Sequence, residues 1–128
     1  MTEFAGIRVL VVEDEGAIAM MIEDMLEELG CDVVASVARL AAACDMARTV
    51  EIDLAMLDVN LAGQLVFPVA EILRDRNIPF LFSTGYGASG IPSEFDGGQI
   101  LRKPFSESDL REGIALTLKR CSRAPETT

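Results

Sequence analysis

Five short apolar runs are spread along the 128 residues, and the way they stop constrains the fold more than any other feature. Ile7 to Val12 (IRVLVV) ends at Glu13-Asp14-Glu15, Leu54 to Leu57 ends at Asp58, and Pro79 to Phe82 ends at Ser83-Thr84. Continuous apolar runs of this length suit strands buried on both faces, the condition found in parallel sheets. A weaker strand is expected at Asp32 to Ala35, and a short last one at Ile100-Leu101 ahead of Lys103-Pro104.

Between these runs the apolar period changes to that of a helix. From Ile18, the residues Met21, Ile22, Met25, Leu26 and Leu29 recur at helical spacing with Glu23, Asp24, Glu27 and Glu28 opposite, and Gly30 supplies a stop. The methionines in this stripe read as core. Val37, Leu40, Ala41, Cys44 and Ala47 form a second stripe. After the turn Asn60 to Gly63, a third helix is expected to about Arg76, with Pro68 near its first turn. Ser106 and Asp109 form a capping signature for a last helix whose apolar side is Leu110, Ile114, Thr117, Leu118 and Cys121. Strands alternating with helices imply an α/β domain with a parallel sheet covered on both faces.

Composition removes several classes of function. The net charge of −10 disfavours a polyanionic partner such as nucleic acid. No stretch approaches the ~20 apolar residues needed to cross a bilayer, and the first residues lack a basic leader, so a cytoplasmic protein without membrane insertion is expected. Cys31, Cys44 and Cys121 have neither disulfide nor zinc spacing. There is no histidine, so any phosphoryl acceptor must be a carboxylate or a hydroxyl. Only seven residues follow Cys121, so a single domain over 1–121 with a polar tail at 122–128, and no output domain, is the expected organisation.

Gly85, Gly87 and Gly90 match the spacing G-x-G-x-x-G of dinucleotide loops. That fingerprint needs a helix opening at the third glycine, where its N-terminus can face a pyrophosphate. Here three glycines and Pro92 between Tyr86 and Gly97 oppose an interior helix by roughly 6 kcal/mol relative to alanine. A short or mobile fourth helix is expected, and the glycines read as a switch segment rather than a nucleotide cradle.

Open parallel sheets bind ligands outside the carboxyl ends of their strands. In this chain those ends carry Glu13-Asp14, Asp58, Thr84 and Lys103. Carboxylates about 4 Å apart repel by roughly 4 kcal/mol per pair at an effective dielectric near 20, so the cluster calls for positive charge beside it. Lys103 supplies one charge, and an all-oxygen site with room for water and phosphate suits Mg²⁺. Asp58 would then be a nucleophile accepting a phosphoryl group, with Thr84 and Lys103 sharing its oxygens.

The motifs VVEDE, LAMLDVNL, FSTG and LRKPF resemble those of response-regulator receiver domains of two-component signalling, over nearly the whole chain. The resemblance implies the flavodoxin-like sheet order 2-1-3-4-5. It also implies Asp58 as phosphoacceptor, Asp14 and Asp58 as direct Mg²⁺ ligands, the Asn60 backbone carbonyl as a further ligand, and Glu13 acting directly or through water. A cis bond between Lys103 and Pro104 is implied as well, together with a histidine kinase as partner, an unknown downstream protein, and a monomer or weak dimer. Phe82 to Gly87 resembles the FATGUY subgroup, which implies a kinase of the HWE or a related type and a switch role for Tyr86. One departure stands out: the aromatic residue that receivers usually carry three positions before the lysine is Ile100 here.

Three rival readings fit less well. An aspartyl-phosphate phosphatase of haloacid-dehalogenase type places the nucleophile first and a second acid two residues later, where this chain has Asn60. A flavodoxin-like FMN module needs hydroxyls after its first strand, not three acids. A pseudo-receiver that binds partners without phosphorylation has no need of the acids, Thr84 and Lys103 together. The expected role is therefore that of a phosphoacceptor switch, not an enzyme with turnover.

Overall fold

The computed structural model describes residues 4–85, 91–95 and 99–123, with the backbone alone for 120–123. Its main sheet contains β1 (Arg8–Val12), β2 (Asp32–Val37), β3 (Leu54–Asp58), β6 (Phe80–Thr84) and β7 (Gln99–Arg102). All neighbours are parallel, in the order β2-β1-β3-β6-β7. Counting only these five strands, this is the expected order 2-1-3-4-5, a flavodoxin-like fold. The helices are α1 (Gly16–Glu28), α2 (Leu40–Thr49), α3 (Phe67–Asp75) and α4 (Glu107–Arg123). Among the described residues no helix is long and apolar enough to cross a membrane.

Two cores lie on opposite faces of the sheet. Leu10, Leu57 and Phe82 pack with Ala43 and Ala47 of α2 and with Val69, Ala70 and Leu73 of α3. Val9, Val11, Met56 and Leu81 pack with Ile22 and Leu26 of α1 and with Leu110 and Ile114 of α4. Fully burying one such side chain contributes roughly 1.5–3 kcal/mol, so the two layers dominate stability. β1 and β3 are covered on both faces, which accounts for their continuous apolar runs.

Helix ends follow the local chemistry. At Gly30 (φ 94°) the chain leaves α1 through paired bonds, Gly30 N–H to Glu27 O (3.0 Å) and Cys31 N–H to Leu26 O (2.9 Å). Asn77 (φ 61°) closes α3 in the same way, with Asn77 N–H to Arg74 O and Ile78 N–H to Leu73 O. The Ser106 hydroxyl accepts from Asp109 N–H and the Asp109 carboxylate accepts from Ser106 N–H, both at 3.0 Å, so the capping signature is realised.

Two local expectations are corrected. Val37 ends β2 and does not open α2, because its backbone pairs with Val12. Met21 is 39% exposed, so it is not core; α1 buries a narrow stripe of Ala19, Ile22 and Leu26, and Met25 packs at its margin. The turn at 60–63 belongs to an antiparallel hairpin of β4 (Asn60–Leu61) and β5 (Gln64–Leu65). In the fourth crossover, the described residues contain a single 3-10 turn, Ser93–Phe95. Tyr86, Gly87, Gly90 and the side chain of Cys121 lie outside the described residues.

Candidate functional site

Side chains alternate between the faces of a strand. On the face covered by α1 and α4, the rows Val9-Val11, Leu54-Met56, Leu81 and Leu101 are continued by Glu13, Asp58, Ser83 and Lys103. Parallel register brings their ends to one level: Asp58 pairs with Ser83, Ser83 with Leu101, and Lys103 N–H donates to Thr84 O (2.9 Å). Residues 90 positions apart in sequence thereby share one pocket.

Glu13, Asp14 and Asp58 each direct a carboxylate oxygen into a cluster whose atoms lie within 4.8 Å of one another. Lys103 Nζ lies 3.0 Å from Glu13 Oε1 and 3.5 Å from Asp58 Oδ1. Glu13 is 3% exposed, and its other oxygen accepts from Glu15 N–H at 3.2 Å. Both of its oxygens are engaged, so Glu13 is the anchor of Lys103 in this structure. Asp14 is partly exposed, and its Oδ2 accepts from Ala62 N–H at 3.1 Å. The Asn60 side chain turns to its own hairpin, where Oδ1 accepts from Gly63 N–H at 2.7 Å.

The electrostatics follow from burial. Asp58 is 7% exposed; burial, the hydrogen bond with Asp14 and the charge of Glu13 push its pKa up to about 7 against the opposing pull of Lys103. Burial works against the charge of Lys103, but Glu13 and Asp58 outweigh it and raise its pKa. Above the acids opens a cavity of about 490 Å³ walled in part by Asp14, Asp58, Thr84, Gly85, Lys103 and Leu65. Its donors are all oxygen, the set a hard dication prefers. Repulsion among three carboxylates makes such an ion favourable.

The pocket thus assembles Glu13, Asp14, Asp58, Thr84 and Lys103. The Lys103-Pro104 bond is cis, as expected. Ile100 pairs with Phe82 in the sheet and packs on the α2/α3 core. Two features escaped sequence reasoning. Ser83 Oγ is buried without a hydrogen-bond partner among the described residues. Phe67, Phe80, Phe82 and Phe95 form one aromatic cluster with centroids 5.4–6.0 Å apart, and the Arg74 guanidinium lies 5.5 Å from the Phe95 ring centre. Only the clustering of phenylalanines around the fourth run hinted at it.

Comparison with known proteins agrees with this geometry. The solution structure of SdrG from Sphingomonas melonis Fr1 superposes with a TM-score of 0.80 at 41% identity, covering 88% of this chain and 97% of that one. The receiver domain of sensor histidine kinase PA1611 from Pseudomonas aeruginosa PAO1, with a magnesium ion coordinated in its active site cleft, gives 0.75 at 26% identity over 90% of this chain and 99% of that one. Transcriptional regulatory protein PdtaR of Mycobacterium tuberculosis is 32% identical over 117 residues, 88% of this chain and 57% of its own length. The chain spans little more than half the length of the curated relatives it matches. Residues 9–115 match the family model described as response regulator receiver domain, and the chain belongs to that family.

Proposed function

We propose that this protein is a cytoplasmic phosphorylation switch in which Asp58 accepts a phosphoryl group from a histidine kinase. The observation that carries the reading is the buried Asp58 carboxylate at the base of an open pocket, with Lys103 Nζ at 3.5 Å and two further acids in the same cluster. In the transfer, the N–P bond of a phosphohistidine breaks as an Asp58 oxygen bonds to phosphorus, yielding an acyl phosphate. Asp14 and Asp58 would hold Mg²⁺ with the Asn60 backbone carbonyl, and Glu13 would join through water or through Lys103. The bound ion supplies positive charge to the phosphoryl oxygens.

Lys103, with Nζ 3.5 Å from Asp58, would pair with a second phosphoryl oxygen, and the Thr84 hydroxyl with a third. With Ile100 in place of an aromatic residue, readout would pass through Thr84 and the segment that follows it, including Tyr86. FSTGYG supports membership of the FATGUY subgroup and a kinase of HWE type. Its output would be a change in protein contacts, by a monomer or a weak dimer.

The test is incubation with a small acyl-phosphate donor and Mg²⁺, followed by intact-mass measurement. The parent should gain one base-labile phosphoryl group and Asp58→Asn none. Persistence of the adduct in that variant would refute the assignment.

A further inference from the structure

The turn between β4 and β5 has both central residues at positive φ, Ala62 at 51° and Gly63 at 94°, the pattern of a type I′ hairpin. It is held from three directions. Asn60 Oδ1 accepts from Gly63 N–H at 2.7 Å, Val66 N–H closes the base on Val59 O at 2.9 Å, and Val59 N–H ties that base to Ser83 O at 3.1 Å. The ladder pairs Asn60 with Leu65 and Leu61 with Gln64, so Ala62 N–H, at the turn, is left to point outward. It donates to Asp14 Oδ2 at 3.1 Å, across 48 positions of sequence.

Asp14 is the partly exposed member of the acid cluster, whereas Glu13 and Asp58 are buried. A carboxylate on the pocket rim is free to rotate unless something holds it. Resting on the phosphoacceptor reading above, we propose that the β4-β5 hairpin is a positioning device for Asp14: the Ala62 N–H fixes one oxygen of the carboxylate, so that the group would be held ready to ligate a dication together with Asp58. Partners that orient a metal ligand in this way typically change metal affinity by about 10–100-fold when lost. Gly63 is the residue on which the device depends, because the left-handed turn aims the N–H.

Magnesium titration calorimetry on the whole chain tests this. A Cβ at Gly63 would meet nothing within 4 Å, so a substitution there acts through backbone conformation and not through a clash. Gly63→Val, β-branched and unsuited to positive φ, should weaken Mg²⁺ binding about tenfold while far-UV circular dichroism of the metal-free protein is unchanged. Gly63→Asn, which accepts the left-handed region, should stay within about twofold of the parent. If the valine variant does not fold, an amide-to-ester replacement that removes only the Ala62 N–H is expected to give the same loss. Parent-like affinity in the valine or ester variant, or equal losses for valine and asparagine, overturns the hairpin's role and leaves the phosphoacceptor reading intact. A parent protein that takes up no Mg²⁺ overturns both.

Discussion

Asp58→Asn keeps the shape of the side chain and removes the charge at the most crowded point of the pocket. The Asp58 pKa rises from an ordinary 3.8 to about 7, chiefly through burial. Between those values the folded protein holds a proton that the unfolded chain has released. The Asp58 contribution to stability is therefore greatest in acid and falls as pH rises from about 4 to about 7. The full difference corresponds to roughly 4 kcal/mol, from 1.36 kcal/mol per pKa unit. Asparagine also forfeits the attraction to Lys103, so the variant should exceed the parent by about 2–4 kcal/mol at pH 8 in the presence of a chelator. For a domain of this size that is roughly 8–16 °C in Tm. At pH 4.5 the gap should shrink to about 1 kcal/mol. Urea unfolding followed by circular dichroism at pH 4.5, 6 and 8 reads both numbers, and added Mg²⁺ should narrow the gap at pH 8 by stabilising only the parent. A variant no more stable than the parent at pH 8, or a gap independent of pH, would show that the three acids do not strain the fold.

Lys103→Met leaves the buried Glu13 carboxylate without its 3.0 Å partner and should cost about 3 kcal/mol at pH 8, toward the lower end for a broken buried pair because Lys103 keeps some exposure. A loss below about 1 kcal/mol in urea unfolding would contradict the pairing. The raised pKa of Lys103 means that its contribution is complete below the ordinary value of 10.5 and is lost only as pH climbs through the folded value above it. Ser83→Ala removes a buried hydroxyl with no partner among the described residues and should be neutral or stabilising by up to about 1 kcal/mol; clear destabilisation in the same assay would reveal a bond that the hydroxyl makes in solution.

Much of the pocket could be read from the chain because strands announce their own ends. Asp58 and Thr84 each close an apolar run, Glu13 and Lys103 each follow one, and a parallel sheet aligns such ends. The helix stop at Gly30 and the cap at Ser106 were equally legible, since both are decided within a few residues. The exposure of Met21 was not legible because helical periodicity shows which residues share a face but not how wide a stripe the sheet covers. The hairpin over the pocket left little trace: Asn60 to Gly63 marks a turn, but pairing across it depends on where β3 delivers the chain.

The amino-acid sequence by itself determined the order of elements, the residue types at the strand ends and the absence of histidine, since these depend on local period and composition. Only the tertiary structure decided that Lys103 leans on Glu13 more closely than on Asp58, that Asp14 is held from across the pocket by Ala62, and that the Ser83 hydroxyl finds no partner among the described residues. Those outcomes turn on register and on differences of an ångström or less between groups far apart in the chain, and no local pattern of residues encodes such distances.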